Sequence, residues 1–293
     1  MSRPEVSVVV CTHERPRELA DCLDSLVAIG ADVEVVVVDS ASRQPCRAVV
    51  DGYRGRLPSL RYLYVAEPGL SRARNAGVAV AAGDIVAFID DDASPQPGWD
   101  TQLRSAFAEH PRAGCVGGAC LARFAARRPR WLSERLLQLS SITRWSEHPT
   151  QPRSSAEWPF GANMAFRAEA LAGAGEFSVA LGRVGTSLLS GEDSDMVQRV
   201  LAGGWEVWLE PRAAVLHTVH PERCCSSFYW RRLWWAGVSR AKAPSLRVTV
   251  RLALAAPIRL GLWLATRDRY YLYRTAESAG YFVTRASDLV AHG

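Results

Sequence analysis

The chain opens on an unbroken apolar run at residues 6–11 (VSVVVC) with no polar alternation. A β-branched run of this kind predicts a strand buried on both faces. Pro16 suits a first helical turn, Leu19, Cys22, Leu23 and Leu26 recur at helical spacing, and Gly30 closes the helix. Residues 33–38 (VEVVVV) predict a second buried strand ending in Asp39-Ser40, and residues 62–65 a shorter third. Residues 72–82 predict a helix stopped by Gly83, and residues 85–89 (IVAFI) a fourth strand running into Asp90-Asp91-Asp92. Strands alternating with helices predict an α/β fold, with a mostly parallel, doubly wound sheet flanked by helices.

The pattern loosens afterwards. Residues 115–124 and 160–166 read as strands, 191–202 as a helix ending at Gly203-Gly204, and 206–209 and 213–217 as two short strands. Residues 127–155, rich in Pro, Arg and Trp, read as a loop with short helices that covers the site. From Cys225 onward the pattern is helical, with many Trp, Tyr and Arg residues.

Composition narrows the chemistry. The formal net charge is +5, and Lys242 is the only lysine. This excludes P-loop and Schiff-base lysines. The arginines are scattered rather than gathered into a basic run, so nucleic acid is not an expected partner. Seven cysteines with no CxxC pair indicate neither a disulfide framework nor a structural zinc site. Reduced thiols, and no basic segment followed by an apolar core at the start, predict a cytoplasmic protein. No uncharged run reaches the length needed to span a bilayer.

Open α/β sheets bind ligands beyond the carboxyl ends of their strands. Three polar clusters fall there: Thr12-His13-Glu14, Asp39-Ser40-Ala41-Ser42, and Asp90-Asp91-Asp92. Asp39 alone reads equally well as a cap. Three adjacent carboxylates repel one another, a cost that a bound cation offsets. Oxygen ligands suit Mg²⁺ or Mn²⁺, ions that keep substrate phosphates in their coordination sphere, so the cluster predicts a diphosphate-bearing substrate. Gly69 followed by a helix start with Arg72 and Arg74 makes an anion site. A second acidic cluster, Glu192-Asp193-Ser194-Asp195, starts another helix. Helix capping accounts for one of its acids, and a general base for another.

In their order and spacing, VSVVVCTHERP, VVVDSAS, GLSRARNAG, VAFIDDDA, PFGANMAFR and SGEDSDMVQR, followed by a strand ending in His217, resemble glycosyltransferase family 2 over residues 5–240. The resemblance implies a GT-A fold with a helical C-terminal extension, and a metal-dependent, inverting transfer of sugar from a nucleotide diphosphate. It implies three parts: residues 1–117 binding the nucleotide sugar, 118–220 binding the acceptor and carrying catalysis, and 221–293 the helical extension. By the same resemblance Thr12, Glu14, Asp39 and Ser42 hold the base and ribose of a UDP-sugar, and Arg72 lies near its phosphates. Asp90 and Asp92 form the DxD signature with Asp91 between them. Asp92 is the implied direct ligand of Mn²⁺ or Mg²⁺, and Asp90 the implied partner of ribose or sugar. His217 matches a histidine that can complete the metal site. Asp193 matches the catalytic base, while Trp158, Gly161, Ala162, Asn163 and Glu192 line the sugar and acceptor region.

The acceptor is a hydroxyl or amine on a glycan, a lipid-linked intermediate, a small natural product or a carrier-bound metabolite. Gln198-Arg199 is not followed by the tryptophan of processive family members, which favours addition of a single sugar. A sugar-nucleotide pyrophosphorylase is the alternative enzyme, disfavoured because Thr12–Pro16 replaces the glycine-rich basic loop such enzymes carry after the first strand. A non-catalytic nucleotide-sugar-binding protein is the other alternative. The C-terminal residues 228–235 (FYWRRLWW) and the apolar stretch 246–265 are expected to pack on the catalytic domain or on a second copy, a homodimer. Peripheral contact with an anionic membrane is the competing setting.

Overall fold

β1 (Val6–Thr12) is buried along almost its whole length, and α1 (Pro16–Ala28) lays Leu19, Cys22, Leu23 and Leu26 against the sheet. A computed structural model describes residues 4–30, 32–143, 147–242 and 245–292. The chain continues through β2 (Glu34–Ser40), α2 (Arg47–Asp51), β3 (Ser59–Val65), α3 (Leu70–Val80), β4 (Ile85–Asp90), β5 (Ala93–Pro95), α4 (Trp99–Glu109) and β6 (Ala113–Phe124). It then forms α5 (Glu134–Leu137), β7 (Asn163–Arg167), α6 (Ala168–Ala174), α7 (Glu192–Ala202), β8 (Glu206–Val219), α8 (Ser226–Ala241), α9 (Leu246–Thr266) and α10 (Arg269–His292).

The sheet has the order β3-β2-β1-β4-β7-β6-β8-β5. β1 pairs in parallel with both β2 and β4, and β2 with β3. β7 is antiparallel to β4 and β6, and β5 is antiparallel to β8. This is the GT-A arrangement, a mostly parallel sheet flanked by helices with a helical C-terminal region. Register does the positioning: Cys11 lies beside Asp90 and Thr12 beside Asp39, so three strands end at one edge of the sheet. Farther along, Ala93 pairs with His217, which carries a residue from late in the chain to the aspartates.

Two buried clusters cover the two faces of the sheet. One gathers Val8, Val10, Leu23, Val35, Val37, Trp99 and Leu103, the other Val9, Val36, Phe88, Phe166, Phe177 and Met196. Alternate residues of β1 and β2 fall in different clusters, as the period of two requires. At about 25 cal/mol per Å² of apolar surface, each large side chain buried here contributes roughly 1.5–3 kcal/mol.

Several expected elements differ. The strands expected at 206–209 and 213–217 are one strand, β8, which runs through Pro211. Proline removes a ladder donor, and here the neighbouring Arg212 N–H is taken up by the Glu210 carboxylate at 2.9 Å. α4 and the three-residue β5 were not expected at all.

The chain divides into two compact units, residues 1–123, 141–182 and 192–218 as one, and 124–140, 183–191 and 219–293 as the other. Residue 117, where the resemblance divides the catalytic fold, lies inside β6. The expected covering stretch 127–155 falls partly in each unit, and its residues 144–146 lie outside the described ones.

In the second unit α8 and α10 touch through backbone. A Cβ on Gly237 would collide with the Glu277 carbonyl, and one on Gly280 with the Trp234 carbonyl. The fully buried Glu277 carboxylate receives Arg240 at 2.6 Å, Arg274 at 2.8 Å and Arg259 at 3.4 Å, tying all three long helices together. α9 differs from its neighbours, because an 18-residue window of it is only 6% buried. No uncharged run is long enough to span a bilayer, yet with its arginines included α9 is long and apolar enough by length and composition, with mean hydropathy 1.5. Of its three arginines, Arg247, Arg251 and Arg259, the last is turned inward onto Glu277 and so leaves the outer face uncharged there.

Candidate active site

All the residues singled out from the sequence as chemical lie in the first unit. β4 ends at Asp90, and the turn after it carries Asp91 and Asp92 beneath the loop that follows β1. One ligand atom each from Asp90, Asp92 and His217 lie within 4.8 Å of one another. His217 Nε2 is 3.0 Å from Asp92 Oδ1, and the Asp92 carbonyl accepts the Thr218 N–H at 2.9 Å. Two carboxylates and an imidazole suit a divalent ion such as Mn²⁺ or Mg²⁺, whose remaining positions substrate oxygens can fill. Here Asp90 stands with Asp92 and His217.

Asp91 faces the other way. Thr12 Oγ1 donates to its Oδ2 at 2.8 Å, and Arg15 Nη1 lies 3.1 Å from its Oδ1 and 3.2 Å from Asp92 Oδ2. Arg15 therefore neutralises part of the acidic cluster from the side opposite His217, and the Asp90–Asp92–His217 group keeps its own arrangement. Burial, then the Asp92 charge, push the Asp91 carboxyl up from 3.8 to about 7, with Arg15 pulling the other way. An acid raised in the fold means that stability is lost as pH climbs from about 4 to about 7, because the unfolded chain releases the proton first. Asp91→Asn is accordingly expected to raise the melting temperature of the metal-free protein at pH 8 by several degrees, with no gain at pH 4. Calorimetry at the two pH values checks this; an equal change at both would contradict it.

The nucleotide-side residues are close to one another but heavily engaged. Asp39 is fully buried and accepts from Ser42 N at 3.2 Å, Cys46 N at 2.7 Å and Tyr62 OH at 2.9 Å. Ser42 Oγ accepts from Glu14 N at 2.9 Å, and Glu14 Oε1 accepts from Arg43 N at 2.8 Å. Glu14 and Ala41 hold positive φ, 56° and 58°, so the two loops bend sharply against each other. Arg72 points outward, 41% exposed, and pairs with Glu67 at 3.1 Å. Cys11 is no nucleophile, since burial pushes its thiol up to about 12.

The base candidate sits at the start of α7. Asp193 Oδ1 accepts from Ser194 N at 2.8 Å and Oδ2 from Gly161 N at 3.3 Å, which fixes the carboxylate plane. Its neighbour Glu192 turns inward to Arg74 at 2.9 Å, and both side chains are nearly inaccessible, at 6% and 3% exposure. The Arg74 guanidinium lies over the Phe88 and Phe177 rings, 5.8 and 5.5 Å from their centroids. It also fills the space where a Gly161 Cβ would stand. Gly161 thus lets the Arg74 guanidinium lie close against the backbone whose N–H reaches Asp193. Trp158 is half-buried against the second core cluster. Ala162 is buried, and Asn163 is a strut: its amide donates to the Ala119 and Ala213 carbonyls at 2.9 and 2.8 Å and accepts from Trp99 Nε1 at 2.9 Å.

Arg15 lies in a quoted motif without an expected role, and Arg74, expected with Arg72 to make an anion site, is instead buried against Glu192. Position in the motif was the available signal: Arg15 shares the loop with Thr12, and Arg74 falls one turn after Leu70 on the face with buried Ser71 and Gly77. Arg74→Met is expected to cost about 3–5 kcal/mol, because Glu192 stays buried without its guanidinium. Arg74→Met combined with Glu192→Leu should recover most of that loss. Urea unfolding measures both, and an additive double mutant would refute the pairing.

The family model for glycosyl transferase family 2 matches residues 7–172. The chain is 29% identical over 261 residues to the succinoglycan biosynthesis protein ExoM of Rhizobium meliloti, covering 85% of this chain and 80% of that one. It is 27% identical over 244 residues to a glucosyl-dolichyl phosphate glucuronosyltransferase of Haloferax volcanii, covering 80% and 76%. Among solved structures, the mannosyltransferase PcManGT from Pyrobaculum calidifontis, in complex with GDP-Man and Mn²⁺, superposes with a TM-score of 0.66 at 21% identity, over 98% of this chain and 88% of that one. S. aureus TarS 1–349 in complex with UDP superposes with a TM-score of 0.56 at 16% identity, over 98% and 92%. Fold and site define a GT-A glycosyltransferase with a place for a divalent metal. The chain belongs to glycosyl transferase family 2, and the pyrophosphorylase and non-catalytic alternatives fall away.

Proposed function

We propose that the protein transfers one sugar, with inversion, from a UDP-sugar to a hydroxyl or amine acceptor. The carrying observation is the meeting of Asp90, Asp92 and His217 within 4.8 Å, in the same unit as a carboxylate, Asp193, clamped by two backbone N–H groups. Asp193 takes the proton from the acceptor as its oxygen or nitrogen attacks the anomeric carbon, and the bond to the diphosphate breaks on the opposite side. Asp90, Asp92 and His217 would hold Mn²⁺ or Mg²⁺, which would supply electrostatic stabilisation of the departing diphosphate. Arg15 holds Asp91 and one oxygen of Asp92, which offsets part of the repulsion within the acidic cluster.

Thr12, Glu14, Asp39 and Ser42 form the base and ribose end of the donor site; Ser42 bonds Glu14 and Asp39, and Thr12 bonds Asp91, so these contacts define its walls. Trp158, Gly161, Ala162 and Glu192 shape the sugar and acceptor end, and Asn163 holds that wall to β6 and β8. The nucleotide complexes of the two solved neighbours support a nucleoside diphosphate donor. The succinoglycan and dolichyl phosphate relatives support an acceptor on a growing glycan or a lipid-linked intermediate. Seven free cysteines accord with a reducing, cytoplasmic setting.

A thermal-shift screen of UDP-, GDP- and dTDP-sugars with Mn²⁺ tests the donor. A UDP-sugar at about 100 times its Kd should stabilise the protein by about 2.7 kcal/mol, and dependence on Mn²⁺ should be strong. Stabilisation by GDP- or dTDP-sugars alone would overturn the UDP assignment, and stabilisation independent of metal would contradict the site.

A further inference from the structure

The outer face of α9 carries a group of exposed apolar side chains that the transfer chemistry does not use. Leu246, Val250, Leu254, Ile258 and Leu264 are 80, 47, 62, 61 and 53% exposed. The first four recur every fourth residue, so they form one stripe along the helix. Single exposed leucines need no explanation, but a stripe running from Leu246 to Ile258 along one helix does. The inner face of α9 is tied to α10 at several points. Leu252 is buried, its carbonyl accepts from Ser278 Oγ at 3.0 Å, and Thr249 meets Tyr281 OH at 2.6 Å. Arg259 donates to the Arg274 carbonyl at 2.8 Å and reaches Glu277. The helix is thus held in place with its apolar side outward.

Charge identifies the occupant. Arg247 and Arg251 are exposed near the start of α9, and Arg267 and Arg269 are exposed at its end. Residues 246–267 contain no Asp or Glu. The first acid after them, Asp268, caps α10 by accepting from Tyr270 N at 2.9 Å. We propose that α9 lies along an anionic lipid surface, with its apolar stripe among the acyl chains and these arginines at the headgroups. A second copy suits the face poorly. A parallel pair of α9 helices would set Arg247 and Arg251 against themselves, and an antiparallel pair would set them against Arg267 and Arg269. Neither arrangement brings an acid to meet them. Spanning suits it poorly too, because Arg259 and its partner Glu277 would have to follow the helix into hydrocarbon.

Flotation of the full chain with vesicles tests this, and the readout is independent of sugar transfer. With equal parts phosphatidylcholine and phosphatidylglycerol the protein should float; with phosphatidylcholine alone it should stay at the bottom. Leu254→Gln with Ile258→Gln should lower the bound fraction at least about tenfold at an unchanged melting temperature. Arg247→Gln and Arg251→Gln should each weaken binding about fivefold, and about 1 M salt should weaken it similarly. Absence of flotation, equal flotation with both vesicles, or retention after carbonate washing would overturn the proposal. So would a dimer in light scattering that Leu254→Gln and Ile258→Gln split into monomers.

Discussion

Asp193→Asn is expected to lower kcat by about 10²–10⁴-fold while leaving donor affinity within a factor of two or three. Asparagine keeps the shape and can still accept from Ser194 N and Gly161 N, so α7 should start as before. What disappears is the capacity to take a proton. The split between kcat and donor binding is the informative part, since a purely structural role would move the melting temperature and both constants together. Steady-state kinetics alongside nucleotide calorimetry makes the distinction. A variant that transfers sugar at the wild-type rate would remove Asp193 from the mechanism.

The second large effect is at the metal site. Asp92→Asn keeps the volume of a buried side chain that touches both Arg15 and His217 but withdraws its charge. Loss of several kcal/mol of leaving-group stabilisation corresponds to roughly 10³-fold or more in kcat/KM. Wild-type protein treated with EDTA should show the same loss and recover with Mn²⁺, whereas Asp92→Asn should not recover. His217→Ala should fall between the two, because Asp90 and Asp92 remain. Circular dichroism on each variant separates lost chemistry from lost fold.

The chemistry was more legible in the sequence than the scaffold that orients it. Unbroken runs of valine marked β1 and β2 because strands buried on both faces need no polar alternation. The aspartates after β4 stood out because like charges in a row demand a partner. α4 was missed although Trp99, Leu103, Ala106 and Phe107 repeat at helical spacing, since the prolines and Gly98 before it read as loop. β8 was divided in two at Pro211 because a proline reads as a strand break, and the Glu210 side chain that takes up the next N–H, of Arg212, leaves no periodic signature. The choice between Arg72 and Arg74 could not be made by composition. They are two residues apart on one helix, and only the sheet beneath decides that Arg74 faces Phe88 and Glu192 while Arg72 faces outward. Likewise the inward turn of Arg259 hid the apolar character of α9 from a reading that counts charges along the chain.

The claim on which the account turns is that Asp90, Asp92 and His217 together hold one divalent ion. Titration of Mn²⁺ into metal-free protein, followed by electron paramagnetic resonance with UDP present, tests it most directly. The account predicts one tight site per chain, weakened at least tenfold in His217→Ala and absent in Asp92→Asn. Mn²⁺ bound with equal affinity by the wild type and by Asp92→Asn would contradict it.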